Sequence, residues 1–254
     1  MPKAHALLNI QLGKLPMSAL FEEIDSQPSP LGEISLRRRV IPMLGEEPIY
    51  EVKLGEEYLM SSMFVAAEEA LSTLGLAAVD GDELAVVVGG LGLGYTAVAA
   101  LRDTRVAELL VVDALETVIQ WHQQEKVPLG KILNADARSR YIHGSFFDLA
   151  MGQPTGFDPA QANRRFDAIL LDIDHSPSEF LNDSNQDFYT EAQLRLMKQQ
   201  LRSGGVFSMW SQNLPDPQFM ALLASVFDDV SSHIISFYNP FQNNESTNSV
   251  YVCK

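Results

Sequence analysis

The run Val86-Val87-Val88-Gly89-Gly90-Leu91-Gly92-Leu93-Gly94 constrains the fold more than any other segment. The unbroken apolar stretch at 84–88 reads as a parallel strand buried on both faces. Glycines at 90, 92 and 94 then alternate with leucines, so a backbone bare of side chains turns into a helix expected at 96–101. Such a turn lets a nucleoside lie against the loop and the helix N-terminus. Further strands are expected at 109–112, 141–143, 168–171 and 206–209, alternating with helices at 116–124, 188–201 and 218–227. Two last strands, 234–238 and 250–253, flank a polar turn with Asn239, Pro240 and Asn243. Alternating βα units predict a doubly wound α/β sheet that binds ligands at the carboxyl ends of its strands.

The closing antiparallel hairpin fits a Rossmann-like sheet of the methyltransferase type better than a wholly parallel one. Before residue 61 the rhythm is different. Ile34, Leu36, Arg38 and Val40 alternate with Ser35, Arg37 and Arg39, a second strand covers 49–54, and 58–60 follows a turn at 55–57. This reads as a small antiparallel β unit, with the arginines on a solvated strand edge rather than in a basic patch. Ser61 or Ser62 can cap a helix that carries Met63, Ala67, Ala70, Leu71 and Leu74 on one face and stops at Gly75. The length of 254 residues suits the upper edge of one domain, or one domain plus an appendage. The expected division is an N-terminal β unit over 1–60 and a Rossmann-like α/β domain over 61–254.

Eighteen Lys and Arg against 33 Asp and Glu leave a formal net charge of −15. A duplex nucleic-acid binder shows the opposite imbalance, because neutralised phosphates supply most of its affinity. No nucleic-acid partner is therefore expected. The charge would concentrate a cationic ligand, or serve solubility alone. Nothing approaches the run of about 18 apolar residues that a membrane span needs. Residues 1–30 also lack a charged-then-apolar-then-small signal pattern, so a cytoplasmic protein without a membrane partner is expected. The single cysteine, Cys253, excludes an intrachain disulfide and a cysteine-cluster zinc site.

Asp113 ends the strand after the glycine loop, where a carboxylate can take both ribose hydroxyls. The alternative is a helix-capping Asp beside a purely structural turn. Asp172, Asp174 and His175 follow the strand at 168–171, next to the glycine loop in a doubly wound sheet. Acids there can hold a cationic nucleophile and accept its proton, with Asp172 as the chief group and Asp174 or His175 as its helper. A helix cap or a loop hydrogen bond is the alternative use of Asp172. Together with His143 these residues could ligate a metal, but no helical His pair and no fixed ligand spacing appears, and no metal is expected. His5, His122 and His233 read as surface or packing residues, and neither a Gly-x-Ser-x-Gly elbow nor a phosphate-loop Lys-Ser/Thr is present. Met63, Phe64, Phe146 and Trp210 are candidates for an acceptor wall, with core packing as the alternative. The polar segment 177–187 reads as a mobile lid or as a plain surface loop.

In this order the pieces resemble the spermidine synthase (polyamine aminopropyltransferase) family, on the class I S-adenosylmethionine-dependent methyltransferase fold. The resemblance runs from about Glu22 to the C-terminus. It passes through Pro30-Leu31-Gly32-Glu33, the arginine strand, the glycines at 89–94, Val112-Asp113, residues 141–147 and the Asp172 loop. Phe188-Tyr189 would open the next helix, Ser203-Gly204-Gly205-Val206 would close it, and Gln212 would follow the fifth strand. The resemblance implies that Gly89, Gly90, Gly92, Gly94, Asp113, Ser145 and Phe146 bind the cofactor. It implies substrate contacts for Glu68 and Gln212, and catalytic work for Asp172, Asp174 and His175. Five positions in four segments depart from the family's pattern. Gly92 replaces an Asp that holds the cofactor's amino group, and Ser145 replaces an adenine-contacting Asp. Ala66-Ala67-Glu68 stands for Tyr-His-Glu, and His175 stands for the second Asp of Asp-x-x-Asp.

The implied activity is aminopropyl transfer in polyamine biosynthesis, with decarboxylated S-adenosylmethionine as co-substrate and a small-molecule amine as acceptor. A methyltransferase using intact S-adenosylmethionine on an unidentified small molecule is the alternative, followed by a catalytically silent nucleoside-binding relative. The β unit would supply a homo-oligomer contact or one wall of the acceptor site.

Overall fold

The computed structural model describes residues 20–152 and 155–254. Period-two alternation in the N-terminal part builds an antiparallel sheet in the order β1-β2-β3-β4, with β1 Phe21–Ser29, β2 Gly32–Arg39, β3 Ile49–Leu54 and β4 Glu57–Ser61. Ile34 and Leu36 of β2 and Val52 of β3 are buried and join the core of the larger domain. Strand β1 precedes the strands expected in the small unit, because its sequence, with Glu22, Glu23, Asp25 and Pro28, has no apolar alternation to mark it. Cross-strand charge reveals what the apolar pattern hides. Arg38 meets Glu22 at 2.5 Å, Arg37 meets Glu23 at 3.5 Å, and Arg39 meets Glu51 of β3 at 2.6 Å. The arginines thus belong to an interior strand with acidic partners on both sides, not to a solvated edge.

The second sheet has seven strands in the order β10-β11-β9-β8-β5-β6-β7. Strands β5 Leu84–Gly89, β6 Val106–Asp113, β7 Ser139–His143, β8 Phe166–Leu171 and β9 Leu201–Ser211 are parallel. The hairpin of β10 Val230–Asn239 and β11 Asn244–Cys253 adds antiparallel to β9, as the closing strands predict. Alternate residues feed two cores on opposite faces. Val86, Val88, Leu109, Val111 and Leu170 face one side, and Val87, Leu110, Val112, Ile169 and Leu171 the other. The connecting helices are α1 Ala66–Ala77, α2 Tyr95–Arg102, α3 Glu116–Gln123, α4 Gly130–Ala135, α5 Phe146–Ala150, α6 Glu191–Lys198 and α7 Pro217–Ala224. No helix among the described residues is long and apolar enough to cross a membrane.

Two helices differ from expectation for identifiable reasons. Helix α6 starts at Glu191, where the Thr190 side chain accepts from Gln193 N–H. Phe188 and Tyr189 close a preceding 3₁₀ turn, Asp183–Phe188, and residues 203–206 already lie in β9. Helix α1 begins at Ala66 with no side-chain cap, since the Ser62 hydroxyl accepts from Tyr50 N–H at 2.9 Å and the Ser61 hydroxyl from Met63 N–H at 3.3 Å. Gly75 does not end α1 but lies inside it, against the sheet. A Cβ there would stand 2.7 Å from Leu170 Cδ2 and 3.1 Å from Ser208 Cβ. Gly75→Ala should therefore destabilise the protein by about 1–3 kcal/mol through overpacking. Alanine's better helix propensity, worth about 1 kcal/mol, offsets only part of this. Urea denaturation showing unchanged or raised stability would contradict the close approach.

Candidate active site

Because β6 and β8 flank β5, the chain reverses its direction of travel across the sheet at β5, and a crevice opens there. The loop after β5 and the loop after β8 meet in it. Asp172 N–H donates to the Gly89 carbonyl at 2.8 Å, and Gly90 N–H to the Val112 carbonyl at 2.9 Å. Gly90 has φ +95°, and a Cβ there would overlap the carbonyl oxygen of Asp172. Only glycine lets these two loops touch.

Asp113 ends β6 and binds the glycine loop from below. Its Oδ2 accepts from Leu91 N–H at 2.9 Å and its Oδ1 from Leu115 N–H at 2.8 Å. Burial pushes its carboxyl up, and these backbone donors pull it back. His122 of α3 supports the same loop. It is 0% exposed, and its Nε2 lies 2.9 Å from the Gly92 carbonyl oxygen. A carbonyl only accepts, so Nε2 carries the proton. Burial lowers the imidazole to about 4, which leaves it neutral at pH 7. The packing role expected of His122 is thus also a loop-holding one, and the turn Gly92 makes toward α3 gave no signal of it along the chain.

The remaining glycines serve protein neighbours. A Cβ at Gly92 would overlap the tip of Met60 from β4, and the Met60 sulfur accepts from Leu93 N–H at 2.8 Å. Met60 thus packs over the small residue at 92, and both residues line the cavity in the crevice. A Cβ at Gly89 would overlap the Phe146 ring, and Gly94, with φ +93°, precedes α2 against His122 and Leu133. Phe146 is part of an aromatic cluster with Phe147, Phe157 and Phe188 and also reaches the cavity wall. Ser145 caps α5 by accepting from Asp148 N–H at 3.3 Å, and it too lines the cavity.

That cavity encloses about 560 Å³ between the glycine loop, the β8 loop and the N-terminal sheet, which contributes Pro30, Leu31, Val52, Leu59 and Met60. Glu68, Asp113, Asp148 and Asp172 line it, and no Lys or Arg does so among the described residues. Glu68 comes from α1 and Asp172 from the end of β8. Thr96 Oγ1 donates to Asp172 Oδ2 at 2.5 Å. Burial raises Asp172 to about 6 against this hydrogen bond. Burial first, and then the Asp172 charge, raise Glu68 to about 8. The two carboxyls titrate as one coupled pair, so near pH 7 they share a single proton and carry one negative charge between them.

A carboxyl whose folded-state pKa is raised binds more protons in the folded than in the unfolded chain. Its presence therefore costs stability as pH rises from about 4.5 toward 8. Glu68→Gln should raise the melting temperature by a few degrees at pH 8 and change it little at pH 5. Equal shifts at the two pH values would rule out a raised Glu68 carboxyl.

Asp174 and His175 are placed differently around Asp172. Asp174 is 1% exposed and does not line the cavity. Its carboxylate accepts from Leu181 N–H at 2.8 Å, Asn185 Nδ2 at 2.8 Å and Tyr189 Oη at 2.7 Å. It pins the segment 177–187, whose Leu181, Asn182, Ser184 and Asn185 form one wall of the cavity. His175 lines the cavity as well, with Nε2 2.7 Å from Glu57 Oε1 on β4, and ties the β8 loop to the small sheet. Gln212 donates its backbone N–H to the His175 carbonyl at 2.7 Å and its side-chain Nε2 to Glu179 at 2.9 Å, and lines the cavity beside Trp210. Phe64 lines it as well, while Met63 does not. His143 sits 3.2 Å from the Ala114 carbonyl, and no group of three or more metal-binding side chains occurs among the described residues.

No family model matches the chain. No curated protein matches it either. Solved structures do. The crystal structure of spermidine synthase from Thermotoga maritima superposes with a TM-score of 0.67 at 16% identity, over 91% of this chain and 72% of that one. Spermidine synthase in complex with the transition-state analogue AdoDATO gives a TM-score of 0.68 at 16% identity, over 91% and 73%. The small antiparallel sheet, the seven-stranded sheet with its terminal hairpin and the crevice between them thus form the fold of the spermidine synthases.

Proposed function

We propose that this chain is a transferase that moves the aminopropyl group of decarboxylated S-adenosylmethionine to a small-molecule amine. The carboxyl pair Glu68 and Asp172, on a cavity wall bearing four acids and no Lys or Arg among the described residues, carries the reading. Such a wall concentrates cations. Intact S-adenosylmethionine brings a carboxylate for which this wall offers no Lys or Arg among the described residues, whereas the decarboxylated form is cationic throughout. The cavity volume suits a nucleoside with a short tail and a small acceptor. Asp113, fixed by two backbone N–H groups, retains lone pairs for ribose hydroxyls at the carboxyl end of β6. Ser145 and Phe146 stand on the same side and would face the base.

A protonated amine has no lone pair. Ionised Asp172 takes its proton, and the freed lone pair attacks the propyl carbon beside the sulfonium. The carbon–sulfur bond breaks with its electrons going to sulfur, which leaves methylthioadenosine and a secondary ammonium. Alignment of the two partners supplies most of the acceleration, and the touching loops after β5 and β8 are what hold them.

Mass spectrometry after incubation with each co-substrate and a set of amines tests the reading. Methylthioadenosine is the expected product. S-adenosylhomocysteine would replace it by methyl transfer, and neither product with binding intact would leave a silent nucleoside binder.

A further inference from the structure

The sheet order divides the cavity. Asp113 and Ser145, after β6 and β7, lie on one side of the glycine loop, and Trp210, Gln212, Phe237 and Asn248, from β9, β10 and β11, lie on the other. The nucleoside belongs on the first side, so the second is left for the acceptor. Its inner end, at the loop after β8, holds Asp172 and the facing Glu68. Away from that end the wall is aromatic. Phe64 and Phe237 pack with ring centroids 5.3 Å apart, and Trp210 stands beside them.

Among the described residues no free carboxylate lines this far wall, and the lining His175 is paired with a carboxylate from outside it. Glu57 is engaged by His175 at 2.7 Å. Glu179 lies outside the lining and is held by Gln212 and Asn213, each at 2.9 Å, and by the Ser176 hydroxyl at 3.3 Å. Gln212 and Asn248 are neutral amides. An ammonium that leaves water needs a counter-charge and acceptors for all its donors. Attraction to ring faces returns only part of that loss. An apolar tail against the same rings gains from burial instead.

We infer that the acceptor is a primary monoamine with an apolar or aromatic tail, its single ammonium at Glu68 and Asp172 and its tail on Phe64, Trp210 and Phe237, rather than a linear diamine. The inference rests on the aminopropyl-transfer reading for its chemistry, while the shape and charge of the acceptor side stand apart from it. The matching is one to one: the carboxyl pair, sharing a proton, keeps one net negative charge, and the acceptor brings one positive charge.

The test compares phenethylamine and n-hexylamine with 1,4-diaminobutane, using decarboxylated S-adenosylmethionine and following methylthioadenosine. The monoamines should show kcat/KM at least about tenfold above the diamine. Phe237→Asp, which places a carboxylate on the far wall, should move that ratio about tenfold toward the diamine. A diamine equal or superior in the unmodified protein overturns the inference and leaves aminopropyl transfer standing. The same amines are also titrated calorimetrically into protein saturated with methylthioadenosine. Tighter monoamine binding without any turnover supports the acceptor class while the transfer reading falls. No binding of any amine, or tighter diamine binding, overturns the acceptor class.

Discussion

Replacing Asp172 by asparagine should lower turnover by about 10²–10⁴-fold and leave nucleoside affinity largely intact. The backbone at 172 is fixed by its N–H to the Gly89 carbonyl, a bond that the substitution does not touch. Asparagine also keeps an oxygen to accept from Thr96 Oγ1. What disappears is the charge and the basicity. The unmodified protein should gain activity as pH rises through about 6, where Asp172 loses its proton, and the variant should lack that limb. Thr96→Val removes the hydrogen bond that favours the ionised form, so it should move the limb to higher pH, and Thr96→Ser should restore it. Near-normal turnover in a folded Asp172→Asn protein would reduce Asp172 to a loop hydrogen-bond acceptor.

Asp172 and Asp113 were legible in the sequence because each ends a strand whose apolar run is unmistakable, and a doubly wound sheet puts strand ends together. The same periodicity located the glycine loop and the closing hairpin. Contacts between distant segments left no such trace. Met60 fills the space over Gly92 from another sheet, and His122 reaches the Gly92 carbonyl from α3. Asp174 looked like a second acid of the site because it is next but one to Asp172. In the fold its side chain is spent on Leu181, Asn185 and Tyr189. Strand β1 was hidden for a different reason: it is an edge strand held by ion pairs, so the apolar pattern that marks strands is absent. Glu68 came from resemblance alone; that it shares a proton with Asp172 depends on how α1 crosses the end of β8.

Gly90→Ala should cost on the order of 3 kcal/mol and abolish nucleoside binding together with turnover. Two penalties combine at this position. The backbone holds φ +95°, where an L side chain is strained, and the added methyl would overlap the Asp172 carbonyl oxygen. That neighbour is backbone, so it cannot swing aside as a side chain would. Relief requires the β5 and β8 loops to part, which stretches the Asp172-to-Gly89 hydrogen bond and moves the Asp172 carboxyl relative to the glycine loop. Site geometry and stability therefore fall together. For a chain of this size the expected drop in melting temperature is about 6–12 °C. Gly92→Ala is the informative contrast. Its methyl meets only the flexible end of Met60, so shortening that residue in a Met60→Ala, Gly92→Ala pair should recover part of the loss. No partner truncation can do so at Gly90. A Gly90→Ala protein that melts and binds like the parent would show that the two loops can separate without harm, and the crevice would then owe its shape to something other than their contact.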